Sequence, residues 1–308
     1  MPAQDQKFLV VIAGPTAAGK TALAVDLAAS FNSVILSADS RQFYREMNIG
    51  TAKPSEAELN KVKHYFISNK SVEDLFGAGH YEKEALALLD ALFQTHRSVF
   101  LVGGSGLYID ALLKGVDDFA DVPQDYRTDL NTEFAEKGLP FLQEELKQKD
   151  PQYFMQVDLQ NPQRLIRALE VIRFTGKPYS SFLGQKKTTR HFSVLKIFLD
   201  PPRDELYTRI NARVDAMMQK GLLDEVRSLK VHKHLNALKT VGYTELNDYL
   251  DGISDLNTAV DKIKQHTRNY AKRQITWFRK DPEYKHFTGD NPEIIRVYIE
   301  ECTGSKTN

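Results

Sequence analysis

Over roughly the first 115 residues, short apolar runs alternate with amphipathic stretches. "FLVVIA" (8–13) is continuously apolar and rich in β-branched residues, which predicts a buried strand. In the next stretch Leu23, Leu27 and Phe31 recur every four residues, which predicts a helix from Lys20 to about Phe31 with one apolar face. "SVILSAD" (33–39) predicts a second buried strand, "YEKEALALLDALFQTHR" (81–97) an amphipathic helix and "SVFLVGG" (98–104) a third strand, with another helix near 105–113. Strands that are apolar on both faces and alternate with helices predict a parallel sheet covered on both sides. The pattern changes near Gly115, and from there to about Arg190 only helices and turns are predicted. The clearest of these helices opens "NPQRLIRALEVIRFTGKP", with Asn161 as N-cap, Pro162 at the first helical position, and Gly176 with Pro178 as the stop. "VLKIFLD" (194–200) returns to strand character, and the remainder is helical. The expected fold is an α/β core built from 1–114 and 191–308, interrupted by an all-helical insertion at 115–190.

Composition narrows the classes without naming a partner. The chain has 308 residues, 42% of them hydrophobic, enough to bury a sizeable core. Its 41 basic and 41 acidic residues cancel, so bulk charge selects neither nucleic acid nor membrane. One cysteine, Cys302, excludes an internal disulfide and a multi-cysteine zinc site, and points to a reducing, cytoplasmic setting. No apolar run approaches the roughly 18 residues of a membrane span, and "MPAQDQKF" lacks the features of a signal peptide. Local clustering is more telling. "KQHTRNYAKRQITWFRK" (264–280) carries six Lys or Arg and no acid, with Lys264, Arg268 and Lys272 spaced by four as one positive row. Ile263, Tyr270, Ala271 and the Trp277–Phe278 region are expected on the opposite, buried face. Such a row suits tracking phosphates along RNA.

The chemistry begins at "GPTAAGKT", Gly14 to Thr21, which fits G-x-x-x-x-G-K-[ST] between a strand and a helix. Gly14 and Gly19 permit a backbone path that turns successive amides inward toward an anion. Lys20 adds a mobile cation, and the Thr21 hydroxyl can ligate Mg²⁺. Most proteins with this loop bind a nucleoside triphosphate, yet a diphosphate satisfies the same amides, so the loop leaves kinase, NTPase and leaving-group chemistry open. Asp39 stands at the carboxyl end of the second strand, where such sheets place their chemistry, either as a metal ligand or as a base. Ser40, Arg41 and Gln42 add a hydroxyl, a cation and an amide suited to the edge of a base or sugar. Ser105 brings a hydroxyl near the same mouth, or simply caps the helix after it. Arg209 and Arg213 lie four apart on one helical face, either one suited to a phosphate, with Arg213 favoured.

Taken together, "GPTAAGKT", "DSRQFYREMNIGTAKP", "GGSGLY", "NPQRLIRALEVIRFTGKP", "RINARVDAMMQKGLLDEV" and "AKRQITWFR" resemble, in order, the motifs of bacterial tRNA dimethylallyltransferases, over about residues 8–280. The resemblance implies a P-loop NTPase-like fold and transfer of a dimethylallyl group from dimethylallyl diphosphate, with Mg²⁺, to the exocyclic amine of the adenosine 3′-adjacent to the anticodon of tRNA. It implies that Gly14, Pro15, Thr16, Ala17, Ala18, Gly19, Lys20 and Thr21 hold the diphosphate of the prenyl donor. It makes Asp39 the base, with Lys20 and an arginine of this region, Arg209 or the favoured Arg213, beside the leaving group. It further implies RNA contacts from Asp39, Ser40, Arg41 and Gln42, from Gln163, Arg164, Leu165, Ile166 and Arg167, and from Ser105 and Arg127. Ser105 stands where the family commonly carries Thr. The chain is expected to act as a monomer on the anticodon stem-loop.

Overall fold

A computed structural model of the chain describes residues 6–117, 119–184, 189–305 and 307. Its strands are β1 (Phe8–Ala13), β2 (Ile35–Ser37), β3 (His64–Tyr65), β4 (Ser98–Gly103), β5 (Ser193–Leu199) and β6 (Lys285–Phe287). Its helices are α1 (Lys20–Ser30), α2 (Glu56–Lys61), α3 (Ala78–Leu92), α4 (Gly106–Lys114), α5 (Gln124–Lys137), α6 (Leu139–Lys149), α7 (Pro151–Phe154), α8 (Pro162–Thr175), α9 (Arg203–Gln219), α10 (Leu222–Ser228), α11 (Tyr243–Leu250), α12 (Leu256–Phe278) and α13 (Pro292–Thr303). The chain divides into two compact units, residues 1–113 with 190–308, and residues 114–189.

In the first unit the six strands form one parallel sheet in the order β3-β2-β4-β1-β5-β6. The expected α/β class is therefore observed. Side chains alternate across the sheet, so each central strand feeds two cores. Leu9, Val11 and Ala13 of β1 join Val99 and Leu101 of β4 under α3 and α4. Val10 and Ile12 join Phe100, Val102 and Ile197 under α1 and α13. This two-sided burial is why these strands are continuously apolar. Lys196 is the polar intruder in β5, and it is balanced by Asp281 at 2.8 Å and Glu283 at 2.5 Å.

Two strands were not expected. β3 and β6 lie at the two edges of the sheet and contain two and three residues, too short to show a period. The helix expected over 81–97 is instead α3 at 78–92, and the chain turns at Gln94–His96 through bonds back to Ala91 and Leu92. The second unit has helices and, among its described residues, no strand, and it packs Leu130, Leu142, Leu146, Leu165 and Leu169 into a core of its own. Among the described residues no helix is long and apolar enough to cross a membrane.

Candidate active site

β1 delivers the chain into the Gly14–Thr21 loop. Ala17 (φ 64°) and Gly19 (φ 86°) adopt the left-handed backbone that curls the loop around its own amides. Gly14 is required for a different reason: a Cβ there would lie 2.9 Å from the carbonyl oxygen of Leu199 on β5. α1 then starts at Lys20 with no side-chain cap and no acid in its first turn, so its free N–H groups and the positive end of its dipole face an incoming anion. Lys20 Nζ donates to Pro15 O at 2.7 Å, folding the cation back over the loop.

The loop forms one side of a crevice that opens to solvent. Thr16, Lys20 and Thr21 line it, with Asp39 and Gln42 after β2, Gly103 and Gly104 after β4, Arg213 from α9, and Tyr270 and Gln274 from α12. Arg213 Nη1 donates to Thr16 Oγ1 at 3.2 Å. Arg209, its alternative, is exposed and paired with Glu205 at 3.0 Å. Burial, then repulsion from Arg213, lowers the Lys20 ammonium from its ordinary 10.5 to about 7, against the opposing pull of Asp39. Burial likewise lowers Arg213, and Asp39 again opposes it. The crevice thus sets two desolvated cations within reach of one carboxylate's field.

Asp39 is aimed by its own turn: Oδ1 accepts the N–H of Arg41 at 2.9 Å and of Gln42 at 3.4 Å. Ser105 Oγ accepts the N–H of Ser40 at 3.0 Å and is also hydrogen-bonded to Tyr270, tying the second and third strand ends to α12. Burial, then the charge of Asp39, pushes the Tyr270 hydroxyl up to about 12, so it remains a protonated donor. Gln42 is engaged within the chain. Its Oε1 accepts from Ser37 at 3.1 Å, and its Nε2 donates to Thr51 O and Ala52 O, both at 3.2 Å.

Tyr270, expected only as part of a buried apolar face, and Gln274, for which nothing was expected, both line the crevice. Gln274, 6% exposed, accepts the Thr16 N–H at 2.9 Å and donates to Gly104 O at 2.9 Å, buttressing the phosphate loop against the third strand end. Their i, i+4 spacing on one helical face was the available signal. The basic row is revised. Lys264 is paired with Asp215 at 2.6 Å and Arg268 donates to Asn211 at 2.7 Å, so both face α9, while Lys272 is exposed. Trp277, expected to be buried, is 40% exposed and donates to Asp110 at 2.9 Å.

The helical unit carries the other expected contacts. α8 begins as anticipated, with Asn161 Oδ1 accepting the Arg164 N–H at 3.3 Å. Gln163, Arg164 and Arg167 line an open surface hollow together with Tyr153 and Tyr179. Leu165 and Ile166 do not: both are fully buried in the core of this unit. A contiguous stretch on a helix cannot present every side chain, and exposing these two would cost about 3–6 kcal/mol. They seat the helix and contact no ligand through their side chains. Arg127 meets the carboxylate of Glu170 through Nε at 2.6 Å and Nη2 at 3.1 Å, and Arg167 shares that carboxylate at 2.5 Å. Arg167 also lies over the Phe119 ring, 5.2 Å from its centroid. Both guanidinium groups are thereby held before any ligand arrives.

The model of the IPP transferase family matches residues 42–281. The chain belongs to this family. A tRNA dimethylallyltransferase of Flavobacterium johnsoniae is 48% identical over 307 residues, spanning 97% of this chain and 99% of that protein. One from Christiangramia forsetii is 50% identical, spanning 95% and 97%. Among solved structures, the full-length tRNA isopentenylpyrophosphate transferase of Bacillus halodurans superposes with a TM-score of 0.71 at 35% identity, covering 97% of both chains. As an IPP transferase, the chain places its phosphate loop before the matched region and Asp39 three residues upstream of it, so the site straddles the start of that match.

Proposed function

We propose that this chain transfers the dimethylallyl group of dimethylallyl diphosphate to the exocyclic amine of the adenosine 3′-adjacent to the anticodon of tRNA, releasing diphosphate. The names of its relatives support this, and one observation carries it. A carboxylate, Asp39, shares one crevice with the phosphate loop and with two cations in its field, Lys20 of the loop and Arg213 of α9.

Breaking the allylic carbon–oxygen bond leaves negative charge on the departing diphosphate. The free amides at the start of α1, with Lys20 and Arg213, stabilise that charge as it grows, and their partial burial strengthens the effect. Among the described residues no cluster of three His, Cys, Asp or Glu is present to cage a metal. Mg²⁺ needs no such cage, since it keeps waters and shares substrate phosphates, and Thr21 in the crevice supplies a suitable hydroxyl. When bound there, Mg²⁺ would neutralise part of the leaving group's charge.

The acceptor amine is a weak nucleophile because its lone pair is delocalised into the ring. Asp39, oriented by the amides of Arg41 and Gln42, holds the amine and takes its proton as the new carbon–nitrogen bond forms. Tyr270, kept protonated, is a hydrogen-bond donor beside that carboxylate. The base must leave its stack to be reached, which in a single-stranded loop costs only a few kcal/mol. In the helical unit, Gln163, Arg164 and Arg167 with Tyr153 and Tyr179 offer hydrogen bonds, charge and stacking faces for neighbouring nucleotides. The chain would work as a monomer.

The test is to incubate unmodified tRNA with dimethylallyl diphosphate, Mg²⁺ and the protein, then digest the RNA and weigh its nucleosides. One adenosine gaining a five-carbon unit is the expected result. No gain, together with ATP turnover in a parallel tube, would replace this reading with a kinase or NTPase.

A further inference from the structure

The crevice is also lined by Thr51, Ala52 and Pro54, from an irregular segment leading into α2. Such a segment has no strand or helix to satisfy its own amides, so something else must hold it. The carboxylate of Glu225, on α10, does so. Its Oε2 accepts the N–H of Asn48 at 2.9 Å and of Ile49 at 2.7 Å; its Oε1 accepts the N–H of Gly50 at 3.0 Å and the Tyr243 hydroxyl at 2.6 Å. A carboxylate has about four lone-pair sites, and all four are filled. The fit is close: a Cβ on Gly50 would lie 2.5 Å from the Tyr243 ring. At the far end Lys53 spends its three donors on Tyr44 O, Asn48 Oδ1 and Ser68 Oγ, at 2.7, 2.9 and 2.7 Å. The carbonyls of Thr51 and Ala52, fixed between these anchors, hold the Gln42 side chain, and the backbone N–H of the same residue donates to Asp39 Oδ1 at 3.4 Å.

We infer that Glu225 is a positioning residue for the transfer reaction: it clamps residues 48–50 and so sets the crevice wall and, through Gln42, the aim of Asp39, without touching substrate. This rests on the transferase reading above. The phosphate loop itself is held by other groups, Gln274 and Arg213, so its hold on the diphosphate does not run through the clamp.

The experiment compares wild type, Glu225→Gln and Tyr243→Phe in the full chain. The Gln side chain turns an NH₂ toward two of the four hydrogen-bond donors. Its kcat should fall about 10- to 100-fold, the size of effect a small misplacement of reacting groups produces. Affinity for dimethylallyl diphosphate should stay within about twofold, and the amides of residues 48–50 should exchange with deuterium at least about tenfold faster. Tyr243→Phe keeps all three amide bonds and should retain kcat within about threefold. Wild-type kcat in Glu225→Gln, or loss of donor affinity and of exchange protection throughout the chain, overturns the inference while leaving the transferase reading intact. A wild type that moves no prenyl group sinks that reading first.

Discussion

Raising the pH from 7 to 9 should weaken the grip on the prenyl donor by discharging Lys20. The ammonium is lowered to about 7 by burial and by Arg213, so half of it is charged at pH 7 and about 1% at pH 9. A diphosphate in the crevice would favour the charged form, so binding above pH 7 must take up a proton. If Lys20 is charged in the complex, affinity falls about 50-fold between pH 7 and 9, roughly 2.3 kcal/mol. Below pH 7 the curve should flatten. The phosphates themselves contribute little in that window, since a phosphate ester's last pKa is about 6. The same shift carries a stability sign. Because Lys20 is lowered in the folded state, the unfolded chain binds more protons between about 7 and 10.5, so the free protein gains stability as pH rises through that range. Calorimetric titration of dimethylallyl diphosphate at constant Mg²⁺, in two buffers of different ionisation enthalpy, would measure both affinity and proton uptake. Lys20→Met should bind more weakly at pH 7 and lose the slope. A flat wild-type profile, or an unchanged slope in the variant, refutes the reasoning.

Three further outcomes follow from the same geometry. Asp39→Asn keeps the oxygen that accepts from Arg41 and Gln42 but loses the base, so kcat should drop about 10²–10⁴-fold with donor affinity nearly unchanged; single-turnover rates and titration check both, and a large loss of donor affinity would instead mark a metal ligand. Gln274→Ala strands the Thr16 N–H and the Gly104 carbonyl, costing about 1–3 kcal/mol and loosening the phosphate loop; a denaturant melt with a donor titration should show both effects. Neutralising the exposed Lys272 and Lys280 should raise the KM for tRNA and flatten its log–log salt slope by about 1.5, whereas neutralising Lys264, already paired with Asp215, should change the slope little.

The phosphate loop was legible because its chemistry is carried by eight consecutive residues whose backbone path is set by their own torsions. The central strands were legible for a related reason: burial on both faces leaves an unbroken apolar run. Helix α8 was legible in its caps and misleading in its contacts, since Gln163–Arg167 reads as one block but a helix turns Leu165 and Ile166 into the core. The basic helix misled in the opposite way. Its row of Lys264 and Arg268 looked free until α9 supplied Asp215 and Asn211.

By itself the amino-acid order determined the parallel α/β core, the helical segment between its halves, the anion-binding loop and the acid at the second strand end. All are written in periodicity, caps and short motifs, which act within a few residues. Tertiary structure alone decided that Arg213 rather than Arg209 faces the crevice, that Tyr270 and Gln274 join it, and that Glu225 clamps a loop some 175 residues upstream. It also decided the charge state of Lys20, because desolvation and Coulomb forces depend on distance through space, which chain order leaves open until the sheet and its helices have packed.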